Sequence, residues 1–282
     1  MWQAESIENL RQSLGEWRRA GERIAFVPTM GNLHDGHLSL IERAHQVADR
    51  VVVSIFVNPM QFNDADDLAR YPRTLDADCE KLRAASVDGL FLPSSALLYP
   101  NGDTQITRVS VPGLSDVLEG EHRPGHFTGV TTVVCKLFNC VQPDVAVFGQ
   151  KDFQQLMLIR HMVADLNMPV AIEAVPTYRA ASGLALSSRN GLLADVNQEK
   201  SAKIYQVLKK CAEMIQSDCR LSEVEGFGTK QLNAAGFEVE YLVVRRSRDL
   251  APPSLDDKQV VILTAARIDG VRLIDNVELE RP

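Results

Sequence analysis

From Ile24 to about Pro176, short continuous apolar runs alternate with stretches whose apolar residues recur every three or four positions. Ile24–Pro28 (IAFVP) and Val51–Val57 (VVVSIFV) are rich in β-branched residues and lack polar alternation. That is the pattern of strands covered on both faces. Between them, Leu38, Ile41, Ala44 and Ala48 fall on one helical face, which predicts a helix over Leu38–Arg50 packed on a sheet. A strand–helix–strand unit of this kind carries a right-handed crossover. The rhythm repeats with a helix from about Asp66 to Ala85, a strand at Gly89–Pro93 and a helix over Val130–Val141. A strand at Val145–Gly149, a helix over Asp152–Leu166 and a last strand at Val170–Pro176 follow. Such alternation predicts an α/β fold with a Rossmann-like, doubly wound, mostly parallel sheet.

After about residue 190 the pattern changes. Helical stretches at Gln198–Gln216 and Leu221–Ala235 precede three strand-like runs, Glu238–Arg246, Gln259–Ile268 and Val271–Leu279. The last two are joined by Asp269-Gly270, a two-residue hairpin signal. The expected division is a Rossmann-like domain over residues 1–176 and a smaller C-terminal α+β domain over residues 177–282.

Composition narrows the class. Of 282 residues, 45% are hydrophobic and 24% charged, which excludes a disordered or fibrous chain. The formal net charge of −7 argues against non-specific nucleic-acid or anionic-membrane binding, although a few local cations can still hold an anionic ligand. No apolar run reaches the ~20 residues that span a bilayer, and the N-terminal stretch is amphipathic and charged, without a signal-peptide centre. Five scattered cysteines without a CxxC pair read as free thiols in a reducing compartment, hence a cytoplasmic chain.

Candidate chemistry gathers where predicted strands end, the edge at which open parallel sheets bind ligands. In Pro28–Leu40 (PTMGNLHDGHLSL), His34 and His37 lie three apart at a helix start, beside Gly31 and Gly36. A phosphate there would meet free backbone N–H groups and two imidazoles. The plainer alternative makes these histidines caps of an ordinary strand–helix turn. Phe56–Phe62 (FVNPMQF) offers Asn58, Met60 and Gln61, which suit a small polar ligand with an aliphatic body. In Phe148–Leu156 (FGQKDFQQL), Lys151 is a candidate phosphate clamp, Asp152 a cap or nucleotide contact, and Gln155 lies one turn on. Ser187, Ser188 and Arg189 offer hydroxyls and a guanidinium fork to a polyphosphate. The loop-like Glu119–Val130, with His122, Arg123 and His126, either borders the pocket or only bridges elements. The chain has no phosphate-binding loop of the GxxxxGK[ST] type, no GxGxxG turn, no GxSxG elbow and no HExxH helix. It thus holds phosphate- and amide-type binders and no obvious protein nucleophile.

Taken in order, PTMGNLHDGH, SIFVNPMQF, YPRT, RPGHF, FGQKDFQQL and LSSRNG, with LIDN at Leu273–Asn276, run along the whole chain. Together they resemble the pantoate–β-alanine ligases, the pantothenate synthetase family. HDGH is similar to the His-x-Gly-His signature of the nucleotidylyltransferase superfamily, with Asp35 in the variable position. The resemblance implies condensation of (R)-pantoate with β-alanine, using ATP and giving AMP and pyrophosphate through a pantoyl-adenylate. The substrate's own carboxylate would then be the nucleophile, which accounts for the missing Ser or Cys.

Site residues carried over by the resemblance fall on both halves. ATP would be bound by Met30, Gly31, Asn32, Leu33, His34, Asp35, Gly36 and His37, with His34 and His37 on the phosphates and His37 in the proton-donor position. Gly149, Gln150, Lys151 and Asp152 match a second nucleotide segment, and Leu186, Ser187, Ser188 and Arg189 a third. Backbone around Tyr178 would touch adenine. Lys151 and Arg189 would complete the catalytic set with the two histidines. Gln61 and Gln155 would hold pantoate by its hydroxyl and carboxylate oxygens, with Met30, Val133, Val134 and Phe148 around its dimethyl carbon. Gln61 and Asn58 would receive β-alanine. Mg²⁺ is implied with the ATP, held chiefly by phosphates and water, with Asp78 and Asp152 as candidate carboxylates. A lid role for the C-terminal domain and a homodimer are likewise implied.

Overall fold

The structure, a computed structural model, describes residues 1–282, the side chains of Ala65 and Asp195 excepted. The chain separates into two compact units, Met1–Gln150 with Gln154–Pro176, and Lys151–Phe153 with Thr177–Pro282.

The first unit opens with β1 (Trp2–Ala4) and α1 (Ile7–Arg19), followed by β2 (Ile24–Thr29), α2 (Asp35–Val47) and β3 (Arg50–Ile55). After a 3₁₀ turn at Pro59–Gln61 come α3 (Ala65–Arg70), α4 (Leu75–Ala84), β4 (Gly89–Phe91) and α5 (Ser95–Leu98). Then follow α6 (Glu119–His122), α7 (His126–Val141), β5 (Val145–Gly149), α8 (Phe153–Asp165) and β6 (Ala171–Val175). The six strands form one parallel sheet in the order β1-β4-β3-β2-β5-β6. Chain order therefore reverses between β2 and β5, the switch point of a doubly wound sheet.

Alternation along the strands builds two cores. Ile24, Phe26 and Val52 point to one face, where they pack with Leu137, Phe138 and Leu156. Ala25, Val27, Val51 and Val53 point to the other, against Ile41, Ala44 and Leu82. At the amino ends of the strands, aspartates close the sheet: Asp144 Oδ2 accepts from Ile24 N–H at 2.7 Å and Asp88 Oδ2 from Val51 N–H at 2.8 Å.

The carboxyl ends behave differently on the two sides of β2. Ile24 C=O accepts from Asp144 N–H and Thr29 C=O from Phe56 N–H, so the even-numbered peptide groups of β2 face β5 and the odd ones face β3. Pro28 falls on the β5 side and has no N–H to give. Among the described residues the β2–β5 ladder ends at Phe26↔Ala146, whereas β2–β3 continues to Thr29↔Ile55 and β5–β6 to Gly149↔Val175. β2 and β5, the two strands that flank the switch point, are thus not paired with each other at their carboxyl ends.

In the second unit, α9 (Asp195–Ser201), α10 (Lys203–Gln216) and α11 (Leu221–Ala234) precede β7 (Glu238–Arg246), β8 (Gln259–Ile268) and β9 (Val271–Glu280). These strands form an antiparallel sheet in the order β7-β8-β9, whose inner face packs on Ile204, Leu208, Cys211 and Val224. Asp269 and Gly270 both have positive φ, 48° and 76°, as the two-residue β8–β9 turn requires. Glu240 is the extra residue of a bulge between Val239 and Tyr241. Burial opposes its charge, yet Arg272 and Arg267 hold its carboxyl below the usual range.

Several boundaries depart from the sequence pattern, α2 by three residues at each end among them. The expected helix at Asp66–Ala85 is two helices, because Pro72 pushes Tyr71 out of the helical region to ψ 125°. Arg73 then caps the first of them by donating to the Ala69 and Tyr71 carbonyls. The helix expected at Gln198–Gln216 tightens at Ala202, whose N–H bonds to Glu199 C=O, next to Ser201 Oγ–H donating back to Asn197 C=O at 2.6 Å. Helix α7 starts four residues before the expected Val130, because Gly125 at φ 81° ends the preceding turn. The three-residue β1 is too short to leave a periodic signal, and it is held by pairing with β4.

Two outcomes test this packing. Phe26 is fully buried and meets Phe138 edge-on at 6.4 Å, so Phe26→Ala is expected to cost about 3–5 kcal/mol in urea unfolding. Gly129 of α7 lies so close to the Pro59–Gln61 turn that a Cβ would stand 2.3 Å from Met60 O. Gly129→Ala is therefore expected to lower the unfolding midpoint, by an equivalent of about 1–3 kcal/mol or more.

Candidate active site

The segment after β2 is organised from below by a buried carboxylate. Gly31 at φ 80° and Asn32 at φ 50° turn the chain. The N–H groups of Asn32 and Leu33 then both donate to Asp78 of α4, at 2.9 and 2.8 Å. Thr74 Oγ donates to the same carboxylate at 3.2 Å, and Lys81 Nζ donates to Leu33 C=O at 2.5 Å. Asp78 is 1% exposed and spends its oxygens on the loop. That argues against its candidacy as a Mg²⁺ ligand: a carboxylate buried under the loop and occupied by two backbone N–H groups and a hydroxyl is a brace. The side chain of Leu33 is in the core and its peptide groups are held by Asp78 and Lys81, which shapes the loop. The signal was in the sequence, since Asp78, Cys79 and Leu82 share the buried face of α4.

His34 and His37 cap one another at the start of α2. His34 Nδ1 accepts from Gly36 N–H at 3.1 Å, and His37 Nδ1 accepts from His34 N–H at 3.3 Å. The ring centroids are 4.1 Å apart. Because both Nδ1 atoms accept, each neutral ring carries its proton on Nε2, which makes Nε2–H a donor. The capping reading and the phosphate reading are therefore compatible: the cap uses one edge of each ring and fixes the tautomer of the other. The positive end of the α2 dipole stands behind both rings.

A second network fixes Gln61. Asn58 is 1% exposed; its Oδ1 accepts from Tyr99 O–H at 2.7 Å and Met60 N–H at 3.3 Å, and its Nδ2 donates to Gly129 C=O at 3.1 Å and Gln61 Oε1 at 3.2 Å. With Oε1 so occupied, Gln61 presents its NH₂ edge, which reaches Met30 Sδ at 2.9 Å. This corrects the assignment of Asn58 as a β-alanine contact: all its hydrogen-bonding capacity is used inside the protein, and what it does is orient Gln61. Tyr99, whose phenol burial pushes up in pKa, stays a donor in this chain. On the backbone side, Gln61 C=O accepts from Arg123 Nη2 at 3.2 Å and from His126 Nδ1 at 2.7 Å, while Arg123 Nη1 faces His126 Nε2 at 3.2 Å. A carbonyl only accepts and a guanidinium only donates, so His126 carries its proton on Nδ1. The RPGHF segment thus positions the Gln61 turn; the sequence left open whether it did more than bridge elements.

Val133, Val134 and Phe148 are each 5% exposed and belong to one core cluster, against which Met60 also packs. Gln155 is half-buried near the start of α8. Its neighbour Gln154, which sequence reasoning passed over, is the structural one, accepting from Glu119 N–H and donating to the Leu114 and Val117 carbonyls.

In the second unit, Lys151 Nζ lies 4.0 Å from Asp152, and Lys151 C=O accepts from Asn276 Nδ2 at 2.8 Å. Residues 178–186 form a small hairpin: Leu186 N–H donates to Tyr178 C=O at 3.0 Å, around the Arg179↔Ala185 bridge. The Tyr178 side chain is exposed. The turn that follows is locally braced, with Ser187 Oγ accepting from Arg189 N–H at 3.3 Å and Ser187 N–H donating to Asn190 Oδ1. Among the described residues, no group of three His, Cys, Asp or Glu side chains could hold a metal ion, and no helix is long and apolar enough to cross a membrane.

Comparison with known proteins agrees with this architecture. The family described as pantoate-beta-alanine ligase matches residues 3–278. The chain is 52% identical to the pantothenate synthetase of Shewanella loihica over all of both chains, and 53% identical to that of Aeromonas hydrophila over 95% of this chain and 94% of the other. Its fold is similar to the crystal structure of the Thermus thermophilus pantothenate synthetase, with TM-score 0.92 and 42% identity over 98% of this chain and 99% of that one. It is similar also to a Francisella tularensis pantoate-beta-alanine ligase crystallised with beta-gamma ATP and beta-alanine, with TM-score 0.81 and 37% identity over 98% and 97%. With motif order, sheet topology and full-length identity all in agreement, the chain belongs to the pantoate–β-alanine ligase family.

Proposed function

We propose that this chain, a ligase by family, joins pantoate to β-alanine at the expense of ATP, and that its residues divide the work as follows. In the first half-reaction the pantoate carboxylate attacks the α-phosphorus of ATP; the pantoyl-adenylate forms and pyrophosphate leaves. In the second, the neutral amine of β-alanine attacks the acyl carbon of the mixed anhydride, the amide forms and AMP leaves. Because the substrate supplies the nucleophile, the protein's task is to place the reactants and to offer donors where charge grows.

The observation that carries the reading is the pair of imidazoles locked at the N-terminus of α2. Their capping bonds at Nδ1 leave each ring protonated at Nε2, at the positive end of a helix. Two such donors need no reorganisation when a phosphoryl oxygen gains charge, and His37 Nε2–H is suited to donate a hydrogen bond to the departing pyrophosphate. Lys151 and Arg189, with the Ser187 and Ser188 hydroxyls, hold further phosphate oxygens. The backbone of Met30–Gly36, Gly149–Asp152 and Leu186, with Tyr178 nearby, contacts the rest of the nucleotide.

Gln61 donates to pantoate through the NH₂ edge that Asn58 turns outward, and Gln155 provides the second amide. Met30 lies against Gln61, and with Val133, Val134 and Phe148 it lends apolar surface to the dimethyl carbon. Gln61 also stands at the entry of β-alanine. Mg²⁺ fits this donor set as a cation carried by the triphosphate and water, with Asp152, whose side chain is 49% exposed, as an available carboxylate. When bound it would neutralise charge on the leaving pyrophosphate. The reading extends to a cytoplasmic homodimer; five free cysteines, with the buried Cys211 thiol raised to about 11, suit a reducing compartment.

Mass spectrometry of a reaction containing pantoate, β-alanine and ATP is expected to find pantothenate with AMP; ADP as co-product would reject the scheme. His37→Ala and Lys151→Ala are each expected to slow pantoate-dependent ATP–pyrophosphate exchange by ~10²-fold or more, Lys151→Ala at an unchanged unfolding midpoint and His37→Ala with the modest loss of about 0.5–2 kcal/mol that removal of a helix cap brings. Gln155→Ala is expected to raise KM for pantoate at least ~10-fold and leave KM for ATP within about twofold, since it removes one amide from pantoate alone.

A further inference from the structure

The second unit contains a buried charged network for which the sequence offered no role. Arg179 and Asp275 form a two-pronged pair, Nη1 to Oδ2 at 2.7 Å and Nη2 to Oδ1 at 2.9 Å, with side chains only 16% and 4% exposed. The guanidinium carbon lies over the Tyr205 ring, 3.6 Å from its centroid, and the guanidinium donates also to the Gly183 and Asn276 carbonyls. Asp275 Oδ1 accepts in turn from Asn276 N–H at 2.8 Å. The next side chain along β9, Asn276, is 6% exposed and donates to Lys151 C=O.

Two adjacent residues of one strand therefore grip two separate segments. Asp275, through Arg179, holds the hairpin at Arg179 in its first arm and at Gly183 in its turn, and that hairpin runs straight into Ser187–Arg189. Asn276 holds the peptide from which the Lys151 side chain springs. A buried ion pair is an expensive way to fill space, since apolar residues of similar volume pack as well without desolvating two charges. What the fork adds is orientation: bidentate geometry fixes an angle as well as a distance.

We propose that Arg179, Asp275 and Asn276 are positioning residues that set the Lys151 peptide and the Ser187–Arg189 turn in one frame, so that the two phosphate-holding segments keep a constant spacing. The inference rests on the phosphate roles assigned to Lys151 and Arg189 above. Fixing the base of a long lysine side chain leaves fewer torsions to be ordered when ATP binds.

The test compares Asn276→Ala, the isosteric Asn276→Asp and Arg179→Lys with wild type and Lys151→Ala, measuring kcat, KM for ATP, KM for pantoate and the unfolding midpoint of each. Asn276→Ala is expected to lower kcat/KM for ATP ~10-fold with KM for pantoate within about twofold. Asn276→Asp should lose as much, because it keeps the shape and replaces the donor with an acceptor facing a carbonyl. Arg179→Lys keeps the charge but loses the fork, and should show the same ATP-selective loss. Wild-type ATP parameters in both Asn276 variants, beside an impaired Lys151→Ala, would overturn the positioning role alone. Equal losses for ATP and pantoate together with a lowered midpoint would make the network a scaffold and overturn it as well. If Lys151→Ala itself behaves as wild type, the phosphate assignment fails, and this inference with it.

Discussion

A proline in a central strand governs the rest of the first unit. Pro28 sits where β2 would bond to β5 and has no N–H, so the ladder stops at Phe26 while the neighbouring ladders run on. At the amino ends of the strands, Asp88 and Asp144 tie down the first peptide groups and close the sheet. At the carboxyl ends nothing equivalent bridges β2 and β5 among the described residues. A parallel sheet already directs its ligands to this edge at the point where strand order reverses. Here the missing bond leaves room for the Met30–His37 segment to turn into α2.

Open ground at a sheet edge is useful only if the groups around it hold still. The structure meets that need with buried polar side chains that face inward. Asp78 takes two consecutive amides of the loop after β2; Asn58, with Tyr99 behind it, turns the Gln61 amide; and Arg123 with His126 holds the Gln61 carbonyl. Each of these groups would cost free energy if left unpartnered away from water, so each binds its loop to one geometry. The two capping histidines follow the same logic. The bonds that complete the helix end also decide which ring nitrogen carries the proton.

Much of the second unit's chemistry follows from strand alternation. Asp275 and Asn276 are neighbours on β9, one reaching an arginine in a hairpin and the other a backbone carbonyl. In sequence they are the end of LIDN, a short motif without any chemistry of its own. The residues they serve lie some 96 and 125 positions away. No local reading of the chain could have joined them, because periodicity reports which face a residue is on and not what stands opposite.

The sequence by itself determined the alternation of strands and helices, the parallel sheet followed by a helix-plus-hairpin unit, the Asp269-Gly270 turn, and the placing of candidate residues at strand ends. These are consequences of local preference and of burial on one or two faces, both written in residue spacing. It also carried the family, through motifs whose order spans the chain. Only the tertiary structure decided that Asp78 is a brace and not a metal ligand, that Asn58 stands behind Gln61, that RPGHF holds a turn, and that Arg179 is paired at all. Those roles depend on hydrogen-bond partners far apart in sequence, and a buried polar group has no meaning until its partner is in place.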